Sequence, residues 1–275
     1  MLAARPVRFE YPDDFEVVWS RRNPEIACVA NAVSLSMPYV EPLVVRATRD
    51  ALAALGDTAL AGRARAYAAQ EANHLGQHRR LNERITARHR TARLLERVLR
   101  STYAGLERQR LSSRTGLAAG FETVAFAAAR WVDPRADRLF AGADPVPAGL
   151  FLWHLAEEAE HRGVAYDVHR AAGGTHRSYL AGLIVAFVLL GGFTLLASLA
   201  LLAAAGRWWR PVAWWRLASW SLSFLFHGGG LIAVSALASH HPDDFDDPAR
   251  LSVWLDDYDA ERRTLAPWPA HRARR

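Results

Sequence analysis

Eight residues, "HLAEEAEH" from His154 to His161, set three acids between two histidines. On a helix, residues three and four apart share a face. His154, Glu158 and His161 fall at i, i+4 and i+7 and share one, whereas Glu157, Glu160 and Arg162 are expected to point away. A face that offers imidazole, carboxylate and imidazole in a row suits a metal cation. A second stretch, "QEANHLGQH", repeats the theme, with Glu71 and His74 three apart and His78 four further on. Glu-x-x-His therefore occurs twice, each time with one more histidine on the same face.

Two helices carrying Glu-x-x-His, each matched with a helix that gives one inward Glu, form the side-chain set of dinuclear carboxylate bundles. The single glutamates should come from the helices preceding the motifs. Glu41 is the only acid near the start of the first helix, and Glu122 is the only acid between Arg114 and Asp133. A lone Glu on an apolar helix needs a partner if it is buried. The chain order Glu41, Glu71/His74, Glu122, Glu158/His161 is the one such a bundle requires. Four hard carboxylates and two imidazoles neutralise two divalent metal ions and leave coordination positions open. Iron is favoured, and manganese or zinc also fit. Singly, each residue has a plainer reading: Glu41 as an acid at a helix N-terminus, Glu122 as the partner of a buried Arg, His78 and His154 as hydrogen-bonded helix histidines. The joint pattern points to the metal site.

"QEANHLGQH", "FET" and "WHLAEEAEHRGVAYDVH" resemble the bacterial family of predicted metal-dependent hydrolases, whose members are similar to ferritin-like proteins. The resemblance runs from about Phe15 to the end of the second apolar stretch. It implies Glu41, Glu71, His74, Glu122, Glu158 and His161 as metal ligands, with His154 a candidate seventh. His154-x-x-x-Glu158-x-x-His161 is also similar to the site of di-iron N-oxygenases that oxidise arylamines. Asp167, six residues past His161, is either a partner that orients a ligand imidazole or a surface acid; His78 is a candidate for the same orienting role.

The elements that must position these residues read as helices throughout, so the fold class is all-α: a ferritin-like four-helix bundle with an apolar helical hairpin after it. Residues 1–35 read as an N-terminal arm. A first helix is expected from Ser36 as N-cap, with Pro38 in its first turn. Others follow over 57–88 with Asp57 as cap, over 91–110 and over 112–132, and a fifth carries the opening motif to Gly173-Gly174. The metal-binding bundle spans 36–175, the hairpin 176–242 and a C-terminal tail 243–275.

The chain has no lysine, so all 34 basic residues are arginine, and these are scattered without a basic run interleaved with aromatics. Nucleic acid is not an expected partner. Cys28 is the sole cysteine, which excludes an internal disulfide and a thiolate metal pair. The opening "MLAARPVRFEYPDDF" lacks the apolar core of a secretory signal, so the catalytic portion is expected in the cytoplasm. Residues 178–206 carry no charge, and 217–242 have only His227, His240 and His241 as ionisable groups. Each exceeds the ~20 residues that cross a bilayer, and "RWWRPVAWWR" between them has the Trp and Arg mixture of a headgroup boundary. Attachment to the inner membrane is expected, with spanning put ahead of a hairpin lying in one leaflet, against the alternative of a hairpin buried in the core. Arg207, Arg210 and Arg216 in the turn argue against a simple crossing.

The leading functional expectation is an oxygen-activating oxygenase or oxidase acting on a small apolar, aromatic or lipid-like substrate and fed by an external electron donor, since helix-borne ligands suit that chemistry. No catalytic residue is expected beyond the ligands. The alternatives are a hydrolase using a metal-activated water and a non-catalytic, membrane-associated metal bundle. A homodimer is left open.

Overall fold

Pro24, following Asn23, begins the first helix, α1 (Pro24–Leu55), because its fixed φ suits the first helical turn and its missing N–H costs nothing there. The start expected at Ser36 is therefore corrected: α1 runs unbroken through Pro38 and Pro42. Pro38 cannot donate to the carbonyl one turn back, at Ser34, and that carbonyl instead accepts Asn82 Nδ2 at 2.7 Å. A side chain from the next helix thus repairs the gap that made the proline look like a boundary.

The computed structural model describes residues 4–269. After α1 come α2 (Ala59–Arg88), capped by Thr58 rather than Asp57, α3 (Arg90–Leu106) and α4 (Leu111–Val132). A single turn, α5 (Ala136–Leu139), leads to α6 (Pro145–His161), whose N-cap Asp144 accepts from Val146. The expected continuation of this helix to Gly173 is also corrected. It stops at His161, and α7 (Val164–Ala171) restarts beyond Gly163, where the Asp243 carboxylate lies 2.4 Å from the place a Cβ would take. The hairpin comprises α8 (His176–Ala186), one π-helical turn over Phe187–Gly191, α9 (Gly192–Ala204) and α10 (Pro211–Ser235); α11 (Ala249–Leu255) follows in the tail. Among the described residues the only β-pairings are two isolated bridges. The protein is all-α.

Four helices form the central bundle. α1 packs on α2 and α4, and α6 closes the ring by packing on the same two. Their shared interior is dominated by small and aliphatic residues such as Leu35, Ala47, Ala64, Ala119 and Leu152. The N-terminal arm covers one end. Trp19 donates to Asn31 Oδ1 at 2.9 Å, and Phe9 meets Trp153 with ring centroids 5.8 Å apart.

The hairpin is fastened along this bundle. α8 lies so close to α4 that a Cβ on Gly182 would sit 2.2 Å from the Gly116 carbonyl oxygen, and one on Gly120 would sit 2.7 Å from Gly182. Only glycine permits this approach of two backbones. α9 packs against α1, and α10 against α4.

Candidate metal centre

α2 and α6 present their Glu-x-x-His motifs to each other across the bundle interior. Glu71, His74, Glu158 and His161 are all buried, and one potential ligand atom from each lies within 4.8 Å of the rest. His74 Nδ1 stands 3.7 Å from Glu71 Oε1 and 4.0 Å from Glu158 Oε1, and His161 Nε2 stands 3.5 Å from Glu71 Oε1. A second, overlapping group comprises Glu41, His74 and His154. Glu41 enters from α1 and His154 from one turn before Glu158 on α6.

Glu122, from α4, borders these groups without joining either. Its Oε1 accepts the Tyr67 hydroxyl at 2.6 Å, and its Oε2 contacts His161 Nδ1 at 2.9 Å. Tyr67 escaped the sequence reading; a tyrosine one turn before Glu71 on the buried face of α2 was the available signal. His78 stands behind His154, with Nε2 to Nδ1 at 2.6 Å, and its own Nδ1 meets Ser34 Oγ at 2.9 Å. His154 Nε2 in turn contacts Glu158 Oε1 at 2.5 Å. The chain Ser34–His78–His154–Glu158 fixes two imidazole rings and one carboxylate across three helices.

Of the two readings of Asp167 the ligand-orienting one falls away, and the expectation for Glu157 fails. Asp167 does not approach a ligand: it pairs with Arg63 at 3.1 Å and His241 at 2.9 Å under the tail. It lies on α7, beyond the break at Gly163, and so leaves the face that carries Glu158 and His161. Glu157 does not point away. It is fully buried, and its Oε2 contacts His74 Nε2 at 2.9 Å while Oε1 faces Arg5 at 3.3 Å. α6 is buried on nearly every side, so the side that faces away from Glu158 faces α2 and the arm rather than solvent. A carboxylate on Nε2 sets the His74 tautomer and leaves Nδ1 turned to the cluster. Glu157→Gln is expected to keep the fold and weaken metal binding about 10- to 100-fold. Competition with a chelator measures this, and an unchanged affinity would show that the contact orients nothing.

The electrostatics show a site short of positive charge. Burial, reinforced by Glu71, holds the Glu41 carboxyl well above its usual range, and burial with Glu122 and Glu71 does the same to Glu158. Burial also pushes Glu122 upward, but His161 outweighs it and draws the group below its ordinary value. For His74, burial favours the neutral ring, yet the hydrogen bond to Glu157 and the nearby Glu71 carboxylate prevail and raise it to about 10. Burial keeps His78 and His154 well below the normal imidazole range, helped by the charge of His74.

Both oxygens of Glu41, Glu71 Oε1, His74 Nδ1, Glu158 Oε2 and His161 Nε2 are buried and lack a hydrogen-bond partner. Each such atom costs about 1–3 kcal/mol when left unmatched. Six of them converging in one interior space is the arrangement a cation satisfies, and the residues present fit a metal ion.

No curated protein and no solved structure matches the chain. The model of the family described as predicted metal-dependent hydrolase matches residues 3–242. That match overturns the expected oxygenase or oxidase. Helix-borne carboxylates and imidazoles serve metal-activated water as readily as oxygen chemistry, and the ligand types alone did not separate the two. With its Glu/His cluster buried in the matched region, this chain belongs to the family of predicted metal-dependent hydrolases.

Proposed function

We propose that the protein is a hydrolase using two divalent metal ions held in the bundle interior by Glu41, Glu71, His74, Glu122, Glu158 and His161, with His154 as a further ligand. The observation that carries this reading is the convergence of unpartnered buried donor atoms from the two Glu-x-x-His motifs and Glu41. A donor set of carboxylates and imidazoles without thiolate suits iron, manganese or zinc. Bound there, the metal supplies a Lewis acid and lowers the pKa of water at the open coordination position.

The chain's own residues prepare that position. Glu157 holds a proton of His74 on Nε2, so that Nδ1 is the nitrogen that would lose its proton to a metal. The Tyr67 hydroxyl donates to Glu122, which keeps this carboxylate turned to His161. The contact of Glu158 Oε1 with His154 Nε2 ties this carboxylate to the Ser34–His78–His154 chain, which fixes its orientation toward the cluster. Trp153, with its ring edge-on 4.8 Å from His74, and Phe151, 5.7 Å from His78, place apolar rings against the histidine side of the site, which supports a small, apolar substrate.

The test is turnover of ester, amide and phosphoester substrates by metal-loaded protein under strict anaerobiosis. Hydrolysis that needs the metal and proceeds at the same rate with and without dioxygen is the expected outcome. Absence of hydrolysis across the panel by fully loaded protein overturns the proposal.

A further inference from the structure

The outer face of the hairpin is left bare. Phe226 is 81% exposed, Trp215 73%, Leu222 68% and Ile184 65%, and Val188, Leu196 and Leu225 extend the same surface. Among the described residues three helices are long and apolar enough to cross a bilayer, but they differ in surroundings. α1 is 72% buried over its most apolar window and belongs to the core, whereas the helix over His176–Ala204 is 22% buried and α10 only 11%.

Charge limits what covers this face. From residue 168 to residue 242 the chain contains no acid and five arginines: Arg170, Arg177, Arg207, Arg210 and Arg216. The turn also presents Trp208 and Trp209 with Trp214 and Trp215, all exposed. An apolar surface rimmed by Arg and Trp without a single carboxylate complements an anionic lipid headgroup layer. A juxtamembrane arginine contributes about 1 kcal/mol to such binding, and tryptophan prefers the same depth.

The fastening of the hairpin decides its attitude. Its start is locked to α4 at Gly116 and Gly120. Its middle is held by Trp131 Nε1 donating to Ser223 Oγ at 3.0 Å. Its turn is tied back to the start of α1 by Arg216, which reaches Glu25 Oε2 at 2.8 Å and the Arg22 carbonyl at 3.0 Å. The hairpin therefore lies along the bundle for its whole length instead of projecting from it. A crossing would drag the bundle into the hydrocarbon, including α2 with exposed Arg63, Arg65, Arg79, Arg80 and Arg88. Buried in a bilayer, each such charge costs at least about 2.5 kcal/mol.

We infer that the protein is monotopic: the α8–α10 face lies flat in one leaflet of an anionic bilayer, with the Arg/Trp turn at the headgroups and α2 facing water. This arrangement is independent of which reaction the metal centre performs.

Flotation of the full-length protein with vesicles of phosphatidylcholine, alone or with about a third phosphatidylglycerol, tests the inference. Binding to both is expected, stronger to the anionic vesicles, with high salt removing only the difference. The Leu222→Asp/Phe226→Asp variant, altered at exposed positions, should bind at least about tenfold less while its metal content and thermal unfolding match the wild type. Protein that floats with neither vesicle, whether monomeric or paired through this face with a second copy, overturns the inference. Attitude is read in sealed membrane vesicles from expressing cells with an impermeant maleimide. Arg210→Cys, in the turn, and Glu261→Cys, in the tail, should react from the same side, and the buried native Cys28 from neither. Reaction from opposite sides shows a crossing and overturns the flat arrangement.

Discussion

Glu71→Gln and Glu158→Gln, made separately, are expected to leave the purified protein with less than half the wild-type metal and to lower hydrolysis about a thousandfold or more. Each change keeps the side-chain volume and removes one anionic oxygen from the group that Glu71, His74, Glu158 and His161 form. A metal held by four donors loses both charge neutralisation and geometry with one of them. A thousandfold loss corresponds to about 4 kcal/mol of transition-state stabilisation, the scale on which a Lewis-acidic metal acts. Glu83→Gln, on the same helix as Glu71 but exposed, serves as the control and should retain full metal and rate. Metal analysis after anaerobic loading, paired with the rate, separates the outcomes. Variants that keep their metal and their rate would remove Glu71 and Glu158 from the site. Variants that lose metal yet hydrolyse normally would detach the chemistry from the metal.

The four-helix order and the two Glu-x-x-His motifs were legible in the sequence because helical spacing is strict. Glu71/His74 and Glu158/His161 can share a face only if both segments are helices, and an apolar helix around Glu122 leaves that acid nowhere to go but inward. The site's other supports were less legible, for a physical reason. Amphipathic logic assigns the face opposite a ligand to solvent, which holds for a helix at the surface. α6 is enclosed by α2, α4, α11 and the arm, so Glu157 faces His74 instead. The signal was present in "GLFLWHLAEEAEH", where apolar residues occupy every side of the first two turns. The start of α1 was misplaced because Pro38 and Pro42 read as boundary residues. The gap that Pro38 leaves at the Ser34 carbonyl is met by Asn82, a residue 48 positions away that no local rule could reach. The chemistry was the least legible feature, since the same donors support hydrolysis and oxidation, and the family match carried that choice.

The ligand cluster also makes the stability of the protein depend on pH in a way that metal should abolish. Glu41 and Glu158 are held well above 4.5, His161 is raised above 6.5 and His74 is raised to about 10. A group whose value rises on folding contributes stability that is complete below its unfolded value and drains away as pH climbs toward the folded one. For the two glutamates the loss begins near pH 4.5, and for the two histidines near 6.5. His78 and His154 are held well below 6.5, so their contribution is complete above that pH and is lost as pH falls. Between about pH 4.5 and 6.5 the two trends therefore oppose each other. Above 6.5 only the falling terms remain, and metal-free protein should melt at progressively lower temperature up to about pH 9. Each proton involved changes stability by about 1.4 kcal/mol per pH unit. A bound cation needs the same atoms deprotonated, so affinity rises with pH and protons leave on binding. The gap in melting temperature between metal-loaded and chelator-treated protein should accordingly widen from pH 6.5 to about 9, and titration with metal in weak buffer should release at least about one proton per chain. A gap that stays constant, with no proton released, would mean that these buried carboxyls and imidazoles are not where the metal binds.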